Sequence, residues 1–381
     1  MRTVLITLIG PERTADLVVD ADTPTGDLLP SLLTAGGVGE TERGQPGWGI
    51  ALMGNQPIDR ALTLEASGVL DGAVLVLRRD VEAEREPVLS PSSGTAPSGS
   101  PLRRTQALLE RAGSGDGLEE TVRSTPLRRC VTIAVLSPKG GIGKTTVSIL
   151  LGELLRSLRS DQVLALDADS DYGSLGRIGP GVSAGDPVSA RDTGIFDALA
   201  KGAVTFAELD RTLWTLPGGL RVVPSPRDPV AMARADREMY SRVIGNLQRL
   251  AGVLVIDCGT GLGQPGAQAA ILASDQLVVL TDASGATASL AVESMRLLER
   301  AGRPITVVCN RLRRGKPGSD DLLRMDALFP RANALVGIPE DPDAERALRG
   351  EFAWPDAPRP LYQAVLELAA VLAGMWPQLG V

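Results

Sequence analysis

Residues 137–146 read SPKGGIGKTT, and this stretch decides the fold class of the chain. The apolar run CVTIAVLS leads into it, and the helix-like TTVSILLGELLRSL follows it. Glycines between a strand and a helix let backbone N–H groups turn inward around phosphate oxygens, and the helix N-terminus adds the positive end of its dipole. The pattern and its context predict a Walker A loop in an α/β domain.

The loop also predicts which ligands it takes. Lys144 is expected to reach the β and γ oxygens of a nucleotide, and Thr145 is expected to ligand Mg²⁺ through its hydroxyl. We therefore expect ATP and Mg²⁺ as the ligands of this site. The predicted nucleotide-binding residues of the loop are Gly140, Gly141, Ile142, Gly143, Lys144, Thr145 and Thr146.

Acidic residues follow two further apolar runs. Asp167 and Asp169 end the run VLALDAD, and Asp257 ends LVID in the manner of a Walker B strand. Ligands of open α/β sheets bind at the carboxyl ends of the strands, so these carboxylates are candidates for the metal and for catalysis. The chain has no His, so a carboxylate must serve if hydrolysis occurs. Helix-capping or turn aspartates are the alternative.

Strand and helix patterns alternate from residue 130 to residue 381. The apolar runs are continuous rather than alternating, which indicates strands covered on both faces and hence a mostly parallel sheet wrapped by helices. Besides the runs already quoted, the series contains GLRVVPSP, AGVLVIDCG, DQLVVLTD and RPITVVCNR. We predict one P-loop domain over 130–381.

Residues 1–80 have a different pattern. Two runs of alternating apolar residues, a helix-like segment and three further apolar runs predict a small β-grasp, ubiquitin-like domain. The stretch GNQPIDRALTLEASGVLDGAVLVLR resembles the ubiquitin-like domain of EccD/YukD-type proteins of type VII secretion. Residues 81–129 contain SPSSGTAPSGSP and are predicted to be a flexible linker, with one possible short helix around 106–111.

The loop carries a second lysine, Lys139, although the whole chain has only four. A KGGxGKTT loop resembles the deviant Walker A motif of MinD/ParA-class ATPases. That resemblance implies that Lys139 reaches the phosphates of a partner subunit in an ATP-dependent homodimer. It also implies that Asp169 orients the attacking water and that Asp167 helps to hold Mg²⁺. Asn310 and Pro339 match the positions that read and line the adenine base.

A narrower resemblance concerns the segments DCGTGL and ALDADSDYGSLG. They are similar to those of the EspI-like accessory ATPases of type VII secretion. The resemblance implies a slowly hydrolysing, ATP-dependent dimerisation switch whose ubiquitin-like domain docks on a secretion component or substrate. Three widely spaced cysteines and the lack of an apolar run of about 18 residues predict a cytoplasmic protein, and the resemblance adds peripheral recruitment to a membrane complex.

Charge and hydropathy bear on the remaining functions. The chain has a net charge of −7, and RLRRGK (311–316) is the one basic cluster, for which a solvated loop is the simpler explanation. DNA binding is therefore not expected. The segment PLYQAVLELAAVLAGMWPQLGV has no Lys or Arg and is read as a closing core helix, so direct membrane insertion is not expected either. A ParA-like DNA or cargo positioning ATPase and a non-hydrolysing nucleotide-bound scaffold are the alternatives.

Overall fold

The computed structural model describes residues 3–11, 13–43, 48–52, 56–58, 60–67, 69, 73–79, 99–170, 175, 194–202, 204–216, 218–226, 228–348 and 357–381. The chain divides into two compact units, Met1–Leu89 with Pro226–Asp236, and Ser90–Ser225 with Arg237–Val381. Each unit has its own cluster of buried apolar side chains.

The first unit is a five-stranded sheet with a helix on one face. Its sheet order is β2-β1-β5-β3-β4, in which β1 and β5 are parallel and the other pairs are antiparallel. This is the β-grasp arrangement that the sequence predicts. Its elements are β1 (Thr3–Ile9), β2 (Thr14–Asp20), α1 (Thr25–Ala35), α2 (Glu40–Arg43), β3 (Trp48–Leu52), β4 (Gln56–Ile58) and β5 (Ala73–Arg79).

The core of this unit follows from the alternation in β1. Val4, Ile6 and Leu8 are buried, whereas Leu5 between them is 48% exposed, because successive side chains of a strand point to opposite faces. Helix α1 covers the buried face with leucines that include Leu32. Burying one such side chain stabilises the fold by roughly 1.5–3 kcal/mol.

Part of the predicted linker is folded. Residues 101–124 form α3 (Pro101–Ala112) and α4 (Asp116–Ser124), so the prediction of a flexible linker over 81–129 is wrong for these residues, whereas the short helix predicted around 106–111 lies within α3. The Thr105 hydroxyl donates to the Leu335 carbonyl at 3.0 Å and accepts from the Leu335 N–H at 2.8 Å. It thus satisfies both backbone groups of a residue on a sheet edge, which would otherwise lack partners. Residues 81–98 lie outside the described part of the chain.

The second unit is a helix-wrapped sheet. Its strands are β6 (Val131–Ser137), β7 (Val163–Ala168), β8 (Trp214–Thr215), β9 (Arg221–Val223), β10 (Val253–Thr260), β11 (Gln276–Asp282), β12 (Ile305–Leu312) and β13 (Ala334–Pro339). The helices after α4 are α5 (Lys144–Leu158), α6 (Ile195–Ala200), α7 (Phe206–Thr212), α8 (Pro229–Arg234, in the first unit), α9 (Arg237–Gln248), α10 (Pro265–Ala273), α11 (Gly285–Leu298), α12 (Lys316–Leu328), α13 (Asp343–Leu348) and α14 (Arg359–Leu379).

The sheet order places the predicted site at the centre of one edge. The order is β13-β12-β11-β6-β10-β7-β9-β8, and every pair is parallel except β8 with β9. All residues of β6 and β7 are buried, as expected for strands that helices cover on both faces. The carboxyl ends of β6, β10 and β7 therefore lie side by side. The predicted fold class is confirmed for both units.

Helix α14 closes the core of the second unit. The Trp376 indole is fully buried and donates to the Gln276 side-chain oxygen at 2.9 Å, while the Gln276 amide donates to the Leu372 carbonyl at 3.1 Å. The prediction of a closing core helix is confirmed. Among the residues that the structure describes, no helix is long and apolar enough to cross a bilayer.

Candidate functional site

The phosphate loop connects β6 to α5, as the sequence predicts. Gly141 and Gly143 have φ values of 78° and 94°, in the left-handed region that favours glycine. A Cβ on Gly143 would also lie 2.5 Å from the Asn310 side-chain nitrogen, so any side chain here would have to displace the Asn310 amide. These two constraints explain why the loop needs glycine there.

Two side chains hold the loop in shape. The Ser137 hydroxyl donates to the Lys139 carbonyl at 2.6 Å and accepts from the Lys139 N–H at 3.1 Å. The Asn310 amide, predicted to read the base, donates to the Ile142 carbonyl at 2.8 Å. The strand end that carries Asn310 is therefore tied directly to the phosphate loop.

The two lysines of the loop lie in different environments. Lys144 is buried at 9% exposure, and its ammonium donates to the Thr260 hydroxyl at 3.2 Å. Lys139 is exposed. At Asp282, burial raises the carboxyl pKa, but hydrogen bonds from Ser284 and the charge of Lys139 outweigh it, so the net pKa is lowered. Lys144 is thus held within its own site, and Lys139 faces solvent.

Asp257 is the buried carboxylate of the site. It is 2% exposed and accepts a hydrogen bond from the Ser148 hydroxyl at 3.0 Å. Burial raises its pKa to about 6, against the smaller opposing effects of the Thr145 hydrogen bond and the Lys144 charge. A carboxylate whose charge is this poorly compensated by the protein is suited to a cation ligand.

The aspartates of β7 lie next to Asp257. The parallel register pairs Asp257 of β10 with Asp167 of β7, and Asp167 is fully buried. The Asp169 N–H donates to an Asp167 carboxylate oxygen at 3.1 Å. Asp169 itself is only partly buried, and its Oδ1 lies 2.8 Å from where a Cβ of Gly259 would be. The structure therefore brings the two predicted acidic segments together.

These residues fit a magnesium ion held jointly with a nucleotide. No group of three or more His, Cys, Asp or Glu side chains suited to a metal occurs in the described residues. Mg²⁺ in nucleotide sites does not require such a cage, because it keeps several waters and takes one or two protein ligands plus phosphate oxygens. Thr145, Asp257 and Asp167 supply that kind of partial set.

A cleft of about 590 Å³ opens beside the start of α5. Asn310 and Pro339 lie in its wall together, as expected if both bound one base. Their roles, like those of the other predicted site residues, stay predictions. The lining residues are Gly143, Thr146, Val147, Leu150, Asn310, Arg311, Ile338, Pro339, Glu340, Asp341, Pro342, Ala344 and Glu345.

Several side chains that build the site were not predicted from the sequence. Ser148 lies one helical turn after Lys144, a spacing that places both on one face of α5 and that the sequence displays. Thr260 lies three residues after Asp257, at the end of the same strand. Arg311 and Asp341 carry no signature in the sequence, because the folding of distant segments brings them to the cleft.

Comparison with known families agrees with both units. Residues 3–77 match the family of the WXG100 protein secretion system (Wss) protein YukD. Residues 133–351 match the family described as the CobQ/CobB/MinD/ParA nucleotide binding domain. The predicted resemblances of the two segments are therefore confirmed.

Individual relatives agree with this assignment. An uncharacterized ATP-binding protein of Methanocaldococcus jannaschii is 29% identical over 249 residues, which is 64% of this chain and 88% of that protein. The ESX-1 secretion-associated protein EspI of Mycobacterium tuberculosis is 29% identical over 279 residues, which is 69% of this chain but only 39% of EspI.

A solved structure supports the fold. The ParA family ATPase of Chlorobium tepidum TLS superposes with a TM-score of 0.52 at 19% identity, covering 63% of this chain and 98% of that one. The chain therefore belongs to the CobQ/CobB/MinD/ParA nucleotide-binding family and carries a YukD-type domain at residues 3–77.

Proposed function

We propose that this protein is an ATP-dependent dimerisation switch that binds Mg²⁺-ATP, hydrolyses it slowly and serves a WXG100-type secretion system as an accessory ATPase. One observation carries the proposal: Asp257 lies beside Lys144 and Asp169 at the end of a glycine loop that leaves a second lysine, Lys139, exposed. Binding, hydrolysis and dimerisation would each use a different part of this arrangement.

Binding uses the loop and the buried carboxylates. The backbone N–H groups of the loop and the Lys144 ammonium bind the β and γ oxygens. Thr145 and Asp257 hold Mg²⁺, with Asp167 contributing through the water shell. The bound Mg²⁺ neutralises charge that develops on the phosphate oxygens. The Ser148 hydrogen bond fixes the orientation of Asp257.

Hydrolysis is assigned to Asp169. Without histidine, a carboxylate is the available group for orienting a water molecule. Asp169 is partly exposed, and the backbone N–H that it donates to Asp167 fixes its position at the end of β7. It lies against Gly259, so a change at the end of β10 would move the carboxylate or free it.

Dimerisation is assigned to Lys139. An exposed ammonium beside the loop is free to reach phosphates on a facing subunit, in the way that an arginine finger acts in trans. A cation that arrives only on assembly couples turnover to the dimer. This explains why a chain with four lysines has two of them in one loop.

The secretion role is supported by the YukD-type domain together with the similarity to EspI. The ubiquitin-like unit would dock on a component or substrate of the secretion system, and its covalent attachment to the ATPase unit would raise the local concentration of that unit near the target. In the native host, we expect Lys144→Ala to impair secretion of WXG100 substrates at normal protein level. Unchanged secretion would contradict an ATP-dependent role.

Phosphate release and nucleotide affinity test the enzymatic part. We expect Lys144→Ala to lose Mg²⁺-ATP binding, and Asp169→Ala to keep binding but lose turnover by about 100-fold or more. Lys201→Ala and Asp320→Ala change exposed residues outside the site and serve as matched controls. Wild-type protein that binds ATP and releases no phosphate would contradict hydrolysis and favour the scaffold.

A further inference from the structure

The end of strand β12 contains an irregular backbone position at Arg311. The pairing of β12 with β13 shifts between Cys309 and Leu312, so the chain bulges at Asn310 and Arg311. Arg311 has a φ of 55° and is the one non-glycine residue with a positive φ in the described part of the chain. L-residues adopt this conformation at a cost, and such positions cluster at functional sites.

The bulge separates Arg311 from the neighbouring arginines of the same segment. Arg313 pairs with Asp321 at 3.2 Å, and Arg314 pairs with Asp341 at 2.6 Å. The exposed Arg311 side chain makes no hydrogen bond or ion pair with any residue that the structure describes. Two of the three guanidinium groups are thus neutralised by carboxylates, and the third lines the cleft.

The cleft offers Arg311 a planar partner rather than a carboxylate. Arg311 and Pro339 lie in its wall, on neighbouring strands whose register pairs Leu312 with Pro339. Asn310 ties this wall to the phosphate loop through the Ile142 carbonyl. A nucleotide whose phosphates occupy the loop would therefore place its base in the cleft, against the wall that contains Asn310, Arg311 and Pro339. A guanidinium is planar and stacks on aromatic faces, which an ammonium does less well.

We propose that Arg311 binds the nucleotide base, with its guanidinium stacked on one face of the purine in the cleft. The inference rests on the proposed ATP site and adds to it the residue that holds the base. The strained backbone at 311 is then explained, because the bulge directs a long cationic side chain over the cleft. The arginine cluster, read from sequence as a solvated loop, would include one ligand-binding member.

The test compares ligands with and without a base. Titration calorimetry would measure Mg²⁺-ATP, Mg²⁺-ADP and Mg²⁺-tripolyphosphate on the full chain and on Arg311→Ala, Arg311→Lys and Arg311→Gly. We expect all three variants to weaken ATP and ADP, by about 2- to 30-fold for Arg311→Ala, and to leave tripolyphosphate unchanged. Arg313→Ala is the matched control from the same segment and should change neither ligand.

Arg311→Gly separates a binding loss from misfolding. Glycine adopts φ near 55° without strain, so the melting temperature of the Arg311→Gly protein without nucleotide should equal or exceed that of the wild type. If an Arg311 variant lost equal affinity for ATP and tripolyphosphate, Arg311 would be a phosphate ligand and the inference would be overturned. Unchanged ATP affinity in the variants would overturn it as well. Wild-type protein that binds neither ligand would instead overturn the proposed function, and the inference with it.

Discussion

The proposed phosphate side and the proposed base side of the cleft are built differently. The phosphate side comes from ten consecutive residues, 137–146, with glycine φ values of 78° and 94° at two positions. The base side comes from the separate segments 310–314 and 338–345, joined by the register of β12 with β13 and by the Arg314–Asp341 ion pair. The residues proposed to bind phosphate are adjacent in the sequence, whereas the residues proposed to bind the planar base are brought together only by the tertiary structure.

Gly143 is where the two sides touch, so substitution there tests their coupling most strongly. We expect Gly143→Ala to lower the free energy of unfolding by about 2–4 kcal/mol, since it combines a strained φ with overlap of the Asn310 amide. Gly141→Ala has open space around its Cβ and should cost only about 1 kcal/mol. Urea unfolding would measure both.

A double variant isolates the overlap. Gly143→Ala with Asn310→Ala should recover part of the lost stability, leaving a cost near that of Gly141→Ala plus the loss of the Ile142 hydrogen bond. If Gly143→Ala and Gly141→Ala were equally destabilised, the two sides of the cleft would not be coupled through this contact.

Glu153 is buried on α5, the helix that follows the phosphate loop. A change at this residue tests whether the free energy of unfolding can change while ATP affinity stays the same. Burial raises its pKa to about 7, against smaller opposing effects of the Leu220 and Gly218 backbone and of Arg156. The folded state holds this proton more tightly than the unfolded state. Stability from this group is therefore complete below the ordinary pKa near 4.5 and is lost as pH rises through about 7.

Glu153→Gln removes that loss. We expect the variant to match the wild type near pH 4.5 and to exceed it at pH 8 by up to about 3 kcal/mol, with ATP affinity unchanged. Glu293→Gln, an exposed change on another helix, is the control and should show no such trend. A Glu153→Gln stability curve parallel to that of the wild type would contradict the raised pKa.

Asp341 tests the base side alone. It is buried, accepts from Arg314 at 2.6 Å and accepts from the Asp343 N–H at 3.0 Å, where α13 begins. We expect Asp341→Asn to cost about 1 kcal/mol of stability and to weaken ATP but not tripolyphosphate. Asp321→Asn is the control, because Asp321 is also a buried residue and pairs with Arg313 and Arg324 away from the cleft. Equal ATP affinities in the two variants would contradict a local role.

The contrast between local sequence pattern and tertiary structure also explains which parts of the fold and of the site could be predicted from the sequence. The loop, the parallel sheet and the neighbouring aspartates of β7 and β10 follow from short-range pattern, because parallel strands end at one edge. Only the part of helix α3 around 106–111 was predicted, because the polar residues of this segment resemble a linker, and the contact of α3 with the β13 edge depends on tertiary structure. Arg311 was missed because its φ is set by a bulge between paired strands, which local pattern does not encode.

Molar mass in solution tests most directly whether ATP assembles two chains through Lys139. Light scattering would be run with Mg²⁺ and ATP, a non-hydrolysable analogue or ADP, on wild type, Lys139→Ala, Asp169→Ala and the control Lys201→Ala. We predict the mass of two chains with ATP or the analogue and the mass of one chain with ADP. We also predict a lasting dimer for Asp169→Ala and a lost or weakened one for Lys139→Ala only. A chain that binds ATP and stays monomeric, or a Lys139→Ala protein that dimerises like Lys201→Ala, would contradict this prediction.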